Sequence, residues 1–339
     1  MTVAHTLGGA FWLTTFQGLG KQIMDILLHV GAHRTGTTSF QHYLADHSEE
    51  IAARGTCVWG PRQTRGGLFT GLFSASGGLG ADPNLVNGRV SLLMGKAREL
   101  GADQLLISDE NMIGSARHSV RSARLFPAIG ERMARFGSSF GGRVTQVVLA
   151  IRQTDQWWTS AVAYTVGRGH PVPDADQLDR IAHDPRGWRD VITDLACALP
   201  EAKITVARYD DFAGHPDLLF SQLTGRAAPV VNNGYWLNRR PDVAALHAQM
   251  DPEAAKLPSD DLGHWQPFTQ DQTAVLRETY ADDLFWLTAG ADGLATLTEN
   301  STATRASTSW PEGDRRKGHH HDSGQRKLAQ SGCGGIAGA

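Results

Sequence analysis

The chain has 339 residues, of which 41% are hydrophobic and 20% charged, as in an ordinary globular protein. Its net charge of −3 and pI near 6.5 give no overall electrostatic attraction to nucleic acid or anionic membranes, so any anion site has to be local. No run approaches the roughly 18 uninterrupted apolar residues that a membrane span needs, and three scattered cysteines suit reduced thiols. We therefore expect a cytoplasmic protein with no integral membrane segment and no nucleic-acid partner.

Short apolar runs alternate with helical patterns along most of the chain. The predicted strands are 26–30, 56–59, 105–108, 144–151 and 204–207. The predicted helices are 40–47, 90–100, 121–136, 153–167, 188–199 and 218–223, and Pro127 and Gly130 are potential break points within the third. This alternation predicts an α/β fold of three layers, a mainly parallel β-sheet with helices on both faces, which binds its ligands at the carboxyl ends of the strands.

The two ends of the chain differ from this pattern. Residues 1–23 lack the basic start of a signal peptide and precede Met24, so we interpret them as a dispensable extension or a mis-chosen start. Residues 296–339 are rich in serine, threonine, glycine and charge, which predicts a disordered tail. The glycine-rich stretch 66–81 is predicted to be a mobile loop. Residues 24–295 should form a single domain.

A loop-like segment, HVGAHRTGTTSF (29–40), follows the first predicted strand. Two glycines and a threonine fit the phosphate-loop pattern G-x-x-x-x-G-K-[ST], but Thr37 occupies the lysine position and the nearby cation is Arg34. Between a strand and a helix N-terminus, backbone N–H groups and the helix dipole attract an anion. The guanidinium and the hydroxyls would add donors. The segment therefore predicts a phosphate or sulfate site, and the missing lysine argues against triphosphate chemistry.

Within that segment, HRTGTT (33–38) resembles the 5′-phosphosulfate loop, [PH]-K-[ST]-G-T-T, of the sulfotransferase family. The pair Arg152 and Ser160 is similar to the family's 3′-phosphate motif, in which a serine follows a strand-end arginine after eight residues. The stretch ARYDDF (207–212) is similar to the family's R-Y-E-D-L strand end. Over residues 26–225 the resemblance implies a P-loop NTPase-like fold and the sulfuryl donor 3′-phosphoadenosine 5′-phosphosulfate, with adenosine 3′,5′-bisphosphate as product.

The resemblance also implies roles for single residues. The loop residues would hold the 5′-phosphosulfate, Arg152 and Ser160 the 3′-phosphate, and Tyr209 would lie beside the adenine. The implied cofactor-binding residues are Arg34, Thr35, Gly36, Thr37, Thr38, Ser39, Arg152, Ser160 and Tyr209.

Three positions depart from the family pattern. Arg34 replaces its loop lysine, which keeps the stabilising charge but makes a poor proton donor. Ser39 stands where cytosolic members carry an aromatic residue that stacks on adenine. The family's C-terminal R-K-G segment has only a weak substitute in Arg239 and Arg240, since the similar RRKG (315–318) falls in the predicted tail.

Sulfuryl transfer needs a base that takes the acceptor's proton. The segment SDEN (108–111), at a predicted strand end, resembles the S-x-E segment of bacterial and polysaccharide-type sulfotransferases, which predicts Glu110 as that base. Asp109 would exchange roles with it if Asp109 faced the pocket, and His33 is a further candidate. The structural alternative is that Ser108 or Asp109 caps the next helix.

We therefore expect a sulfotransferase that needs no metal, with Arg34 and Glu110 as catalytic residues. It would move a sulfuryl group by in-line attack to a hydroxyl or amine of a small-molecule, lipid or carbohydrate acceptor. Trp59, Arg62 and Arg65 are expected near the acceptor. The alternatives are a P-loop kinase that uses ATP and a non-catalytic nucleotide-binding relative.

Overall fold

The computed structural model describes residues 24–73, 83–231, 234–237, 243, 246 and 265–298. The predicted extension 1–23, the part of the glycine-rich stretch after residue 73, Arg239 and Arg240, and the chain beyond residue 298 lie outside the described residues.

Six parallel strands form one sheet in the described part of the chain, in the order β2-β3-β1-β4-β5-β6. They are β1 (Asp25–Gly31), β2 (Thr56–Trp59), β3 (Gln104–Ser108), β4 (Gln146–Ile151), β5 (Lys203–Arg208) and β6 (Thr296–Leu297). The first five agree with the predicted strands to within two residues at either end. The sixth corrects the predicted tail boundary, because Thr296 and Leu297 pair with β5.

Helices occupy the connections between these strands. They are α1 (Thr37–Asp46), α2 (Ser48–Ala53), α3 (Pro61–Gln63), α4 (Pro83–Glu99), α5 (Ala116–Ser122), α6 (Ile129–Ser139), α7 (Thr154–Val166), α8 (Ala175–His183), α9 (Trp188–Ala198), α10 (Tyr209–Phe212), α11 (Pro216–Thr224) and α12 (Gln270–Thr288). No helix of the described residues is long and apolar enough to cross a membrane.

The helices bury apolar side chains on both faces of the sheet. Side chains alternate along a strand, so Ile26 and Leu28 of β1 join one core cluster and Leu27 joins the other. Helices α4, α5, α6, α7, α9 and α12 contribute to the first cluster, and α1, α2 and α11 to the second. This arrangement confirms the predicted α/β architecture with a parallel sheet between helical layers.

The predicted helical stretch 121–136 divides around Pro127, one of its two predicted break points, into α5 and α6, whereas Gly130 lies within α6. Ala123 and Phe126 in the break have φ angles of 50° and 39°, outside the helical region. Phe126 precedes Pro127, and a residue before proline is sterically disfavoured in the helical conformation. The break lets the buried Phe126 ring pack near His33, at a centroid distance of 6.1 Å.

Parallel pairing brings the carboxyl ends of β1, β3, β4 and β5 to the same edge of the sheet. These strands end at Gly31, Ser108, Ile151 and Arg208, directly before the segments that carry the predicted site residues. The topology therefore collects at one edge groups that lie more than a hundred residues apart in sequence.

Candidate active site

A cavity of about 500 Å³ opens at this edge. The loop after β1, the ends of β4 and β5 and the segment 234–237 form its wall. The predicted site residues that line it are His33, Arg34, Thr35, Gly36, Thr37, Thr38, Ser39, Glu110, Arg152 and Tyr209. Ser160 is fully buried and is not part of the lining.

The loop after β1 is shaped by close packing around Gly31. This glycine has a φ of +68°, and a Cβ built on it would lie 2.3 Å from Cγ2 of Thr37. The methyl group of Thr37 therefore fills the space beneath the loop. The hydroxyl of Thr35 donates to the carbonyl of Ala32 at 2.7 Å and accepts its N–H at 3.2 Å. The hydroxyl of Thr35 thus serves the loop itself, although the residue lines the cavity.

Helix α1 begins at the cavity wall. Its N-cap is Gly36 with a φ of 78°, which has no side chain that could cap the helix. An anion in the cavity can fill that role, because the first N–H groups of a helix have no intrahelical acceptors. Ser39 in the first turn accepts the Leu237 N–H at 3.0 Å, which joins the segment 234–237 to the loop.

Arg34 projects from the loop with a φ of 66°, a conformation unusual for a residue with a side chain. Its Nε donates to Oγ of Ser160 at 2.9 Å, and its guanidinium lies 5.2 Å from the ring centroid of Tyr164. Burial, and after it the nearby charge of Arg152, lower the pKa of Arg34 to about 10. Both effects disfavour the charged form of Arg34, and a bound anion would counteract them by stabilising that charge.

Arg152, at the end of β4, lies beside Arg34. One of its Nη atoms donates to the Arg34 carbonyl at 3.3 Å, and its guanidinium lies 4.7 Å from the ring centroid of Tyr209. Burial lowers the pKa of Arg152, and the charges of Tyr209 and Asp210 act in the opposite direction.

Neither of these half-buried arginines forms an ion pair with a carboxylate among the described residues. Arg208 on the same wall differs, because its guanidinium pairs with Asp211 at 2.6 Å. The cavity therefore holds two cations that its described protein groups do not neutralise. That arrangement suits a dianionic or more highly charged ligand.

Two buried tryptophans fix the backbone that carries these cations. Nε1 of Trp157 in α7 donates to the His33 carbonyl at 2.7 Å. Nε1 of Trp188 at the start of α9 donates to the Arg152 carbonyl at 2.8 Å. Both indoles lie in the larger core cluster, so the cavity wall is tied to the centre of the domain.

On the side of β3, Glu110 faces the cavity and Asp109 does not. Asp109 is 4% exposed and caps the short 3-10 turn Glu110–Ile113 by accepting the Asn111 N–H at 3.0 Å. It also accepts from the Thr64 hydroxyl at 2.5 Å and from Arg65 at 2.6 Å. The predicted capping role thus belongs to Asp109, and the carboxylate available to a ligand is that of Glu110.

Glu110 is held at both of its carboxylate oxygens. Oε2 accepts from Gln41 Nε2 at 2.7 Å, and Oε1 accepts from an Nη atom of Arg65 at 3.0 Å. Burial raises the pKa of Glu110, but the bond from Gln41 and the electrostatic effects of the nearby His33 and Arg65 side chains outweigh it, and the contribution of His33 requires a protonated ring, so that the pKa lies below its ordinary value. Glu110 is therefore ionised at neutral pH.

His33 lies between the loop and this turn. It is 7% exposed, and its Nε2 is 3.1 Å from Oδ1 of Asn111. Burial lowers the pKa of His33, so the ring is neutral at pH 7. A tautomer that donates from Nε2 leaves Nδ1 as an acceptor, and Nδ1 has no hydrogen-bond partner among the described residues.

The chain matches no family model, and comparisons with curated proteins and with solved structures found no match. The described residues contain no group of three or more histidine, cysteine, aspartate or glutamate side chains that could hold a metal ion.

Several residues of the site were missed by the sequence interpretation. Gln41 gave no signal, because it lies among ordinary helical residues of α1. Trp236 lines the cavity, and its ring lies 2.6 Å from where a Cβ of Gly214 or Gly234 would be. The two glycines therefore make room for an indole that is 47% exposed at the rim. Gly214 lies far from Trp236 in sequence, so its packing against the indole is visible only in the folded chain.

A second cavity of about 480 Å³ lies beside the first. Asn111, Phe126, Ala128 and Arg132 are among its lining residues. A hydrogen bond joins the two walls, since His33 lines the first cavity and Asn111 lines the second. Asn111 directly follows Glu110 in the chain.

Proposed function

We propose that this protein is a sulfotransferase with a P-loop NTPase-like fold, which uses 3′-phosphoadenosine 5′-phosphosulfate as donor. The observation that carries the proposal is the pair Arg34 and Arg152, two half-buried guanidiniums on one cavity wall without a carboxylate partner among the described residues. The donor carries a phosphate at the 3′ position of its ribose and a phosphosulfate at the 5′ position. Two separate cations beside an uncapped helix N-terminus match that distribution of charge.

The remaining wall suits a purine nucleoside. Tyr209, Phe212, Tyr235 and Trp236 line the cavity near the arginines, and aromatic rings of this kind bind a base by stacking. Among them Trp236 is 47% exposed, and the backbones of Gly214 and Gly234 pack closely against its ring and hold it at the rim.

In the proposed reaction, Glu110 takes the proton of the acceptor hydroxyl or amine as that atom forms a bond to sulfur. The bond from sulfur to the bridging phosphate oxygen breaks, and its electron pair remains on the 5′-phosphate of adenosine 3′,5′-bisphosphate. Arg34 and the first-turn N–H groups of α1 stabilise the charge that develops on the leaving phosphate. No proton has to come from Arg34 for these steps to balance.

The alternative of an ATP-dependent kinase has less support. At the position of the phosphate-loop lysine, Thr37 is 5% exposed and its methyl group packs against Gly31. The cation of this loop is Arg34 instead, which bonds to Ser160 in α7.

The two functions separate in a direct assay. The purified protein is incubated with donor carrying radiolabelled sulfate and a panel of hydroxyl and amine acceptors, and in parallel with ATP–Mg²⁺ labelled in the γ-phosphate. We expect transfer of sulfate only. Transfer of phosphate alone would favour a kinase, and binding without any transfer would favour a non-catalytic relative.

We place the acceptor in the second cavity, because Asn111 on its wall adjoins Glu110 in the chain. An Ala128→Trp substitution at the start of α6 would fill this space with an indole. We expect kcat/KM for the acceptor to fall at least about tenfold, the loss that about 1.4 kcal/mol of binding energy represents, with donor affinity unchanged. Unchanged acceptor kinetics in this variant would move the acceptor elsewhere.

A further inference from the structure

We infer that Gln41 and Arg65 are positioning residues that hold the Glu110 carboxylate at the cavity wall. Together with Asp109 we call them the carboxylate clamp. The catalytic meaning of the clamp rests on the proposed function, whereas its existence is a matter of geometry and can be tested without any acceptor.

The first member of the clamp is Gln41, which reaches Glu110 from helix α1. Nε2 of Gln41 donates to Oε2 of Glu110 at 2.7 Å and lies 3.4 Å from the Ser108 carbonyl. Gln41 lies five residues after Gly36 in the helix that begins at the anion-binding loop. This bond therefore fixes the position of the Glu110 carboxylate relative to the N-terminus of α1, where the donor's phosphate would bind.

The second member comes from the segment after β2. An Nη atom of Arg65 donates to Glu110 Oε1 at 3.0 Å and to Asp109 Oδ1 at 2.6 Å. Nε of Arg65 also donates to the same Asp109 oxygen, at 3.2 Å. Asp109 is itself fixed by the Thr64 hydroxyl and the Asn111 N–H. Asp109 thus anchors Arg65, and Arg65 in turn holds Glu110.

The stem of Glu110 is also confined. A Cβ built on Gly31 would lie 3.3 Å from the Glu110 Cβ, so the glycine backbone packs against the side chain. The Glu110 side chain is 14% exposed, and that exposed part lines the cavity. A carboxylate oxygen accepts more than one hydrogen bond, so both oxygens of Glu110 keep a lone pair for an acceptor proton.

The clamp also determines the charge of Glu110. The titratable groups around it are His29 and His33 from β1 and its loop, Asp109 from its own turn and Arg65 from the segment after β2. Burial lowers the pKa of His29 to about 4 and also lowers the pKa of His33, so both rings are neutral at pH 7. The side chains that lower the pKa of Glu110 without needing a protonated histidine are therefore Gln41 and Arg65.

The test is a titration of Glu110 by NMR in full-length protein with ¹³C-labelled glutamate carboxyls, assigned through Glu110→Gln. We expect a midpoint below the ordinary glutamate value in the wild type. Removing a charged or hydrogen-bonding donor typically shifts a carboxyl by one pH unit or more, so Gln41→Leu and Arg65→Ala should each raise the midpoint by about one unit. Arg62→Ala is the matched control, since Arg62 is an exposed arginine of the same segment and should leave the midpoint in place.

A midpoint that stays at the wild-type value in both folded variants would overturn the clamp. With a reactive acceptor, the acidic limb of the pH–rate profile should move upward with the NMR midpoint, which a purely structural role would not cause. If the midpoints move as expected while Glu110→Gln transfers sulfate like the wild type, the clamp stands and the proposed base role falls.

Discussion

At the position where a phosphate loop carries its lysine, this chain has Thr37, whose methyl group packs against the backbone of Gly31. The cation of the loop comes from Arg34, three residues earlier, in a left-handed backbone conformation. That conformation costs about 1 kcal/mol or more for a residue with a side chain. Bonds of Arg34 to Ser160 and of Arg152 to the Arg34 carbonyl stabilise it. At this scale the loop presents a cation to the cavity, but from a position three residues before that of the phosphate-loop lysine.

The neighbouring acids differ in their surroundings, because Asp109 is buried and Glu110 lines the cavity. Substitutions at the two positions should therefore have different effects. A Glu110→Gln substitution keeps the side-chain shape but removes the proton acceptor, so sulfuryl transfer should fall about 100-fold or more while donor binding persists. Steady-state rates together with calorimetric titration of adenosine 3′,5′-bisphosphate check both parts.

Asp109→Asn is the companion variant, and it should act on folding. It loses the charge that pairs with Arg65 in a site that is 4% exposed, so the midpoint of thermal unfolding should drop. If Glu110→Gln transfers sulfate at the wild-type rate, the assignment of the base is wrong.

At the scale of elements, the strands were predictable and the contacts behind the site were not. Buried strands of a parallel sheet read as continuous apolar runs, which is why the central strand β4 stands out in the sequence. Helix α12 was missed although Thr269 and Gln272 form a capping box, with bonds of 3.0 and 3.2 Å. The partner of Ser160 was also unpredictable, because a bond between residues 126 positions apart depends on the sheet order.

The anchoring of the loop by α7 gives a second prediction. Trp157→Phe removes the indole N–H and leaves the His33 carbonyl without that donor, which costs about 1–3 kcal/mol of stability in a buried site. Because the loop is then held less firmly, the affinity for adenosine 3′,5′-bisphosphate should also fall roughly five- to tenfold, as measured by calorimetry.

Trp158→Phe is the matched control for this change. Trp158 lies next to Trp157, at 4.9 Å between ring centroids, and is 2% exposed, but it makes no hydrogen bond to the loop among the described residues. Equal losses of affinity in the two variants would mean that packing, and not the bond to His33, holds the loop.

At the scale of the whole molecule, α12 connects to the site through α9. The Asp283 carboxylate accepts the N–H groups of Trp188 and Arg189 at 2.7 and 3.1 Å, at the start of α9. Trp188 then donates to the Arg152 carbonyl at 2.8 Å. A helix near the end of the described chain thereby supports the arginine proposed to bind the 3′-phosphate. The family resemblance covers residues 26–225, so α12 and this support lie outside it.

The same carboxyl predicts how stability depends on pH. Burial raises the pKa of Asp283 from 3.8 to about 6, against the effect of its two backbone bonds. Between those values the unfolded chain loses the proton while the folded protein keeps it, so the free energy of unfolding falls as pH rises, by about 3 kcal/mol in all.

An Asp283→Asn variant lacks this titration and pays only a constant cost for the acceptor that it loses. Denaturant unfolding at several pH values from 4 to 8 should therefore show the wild type losing stability relative to the variant up to about pH 6 and running parallel above it. Parallel curves over the whole range would show that Asp283 titrates normally.

The central claim is that Arg34 and Arg152, which have no carboxylate partner in the described part of the chain, recognise a nucleotide with phosphates at both its 3′ and 5′ positions. The most direct measurement is calorimetric titration of adenosine 3′,5′-bisphosphate and of adenosine 5′-monophosphate into the wild type, Arg152→Ala and the control Arg62→Ala. A bond to a charged group contributes about 1.5–3 kcal/mol, so the wild type and the control should prefer the bisphosphate by roughly 10- to 100-fold, and Arg152→Ala should lose that preference. Equal affinities for the two nucleotides in the wild type, or tighter binding of ATP–Mg²⁺, would contradict the account.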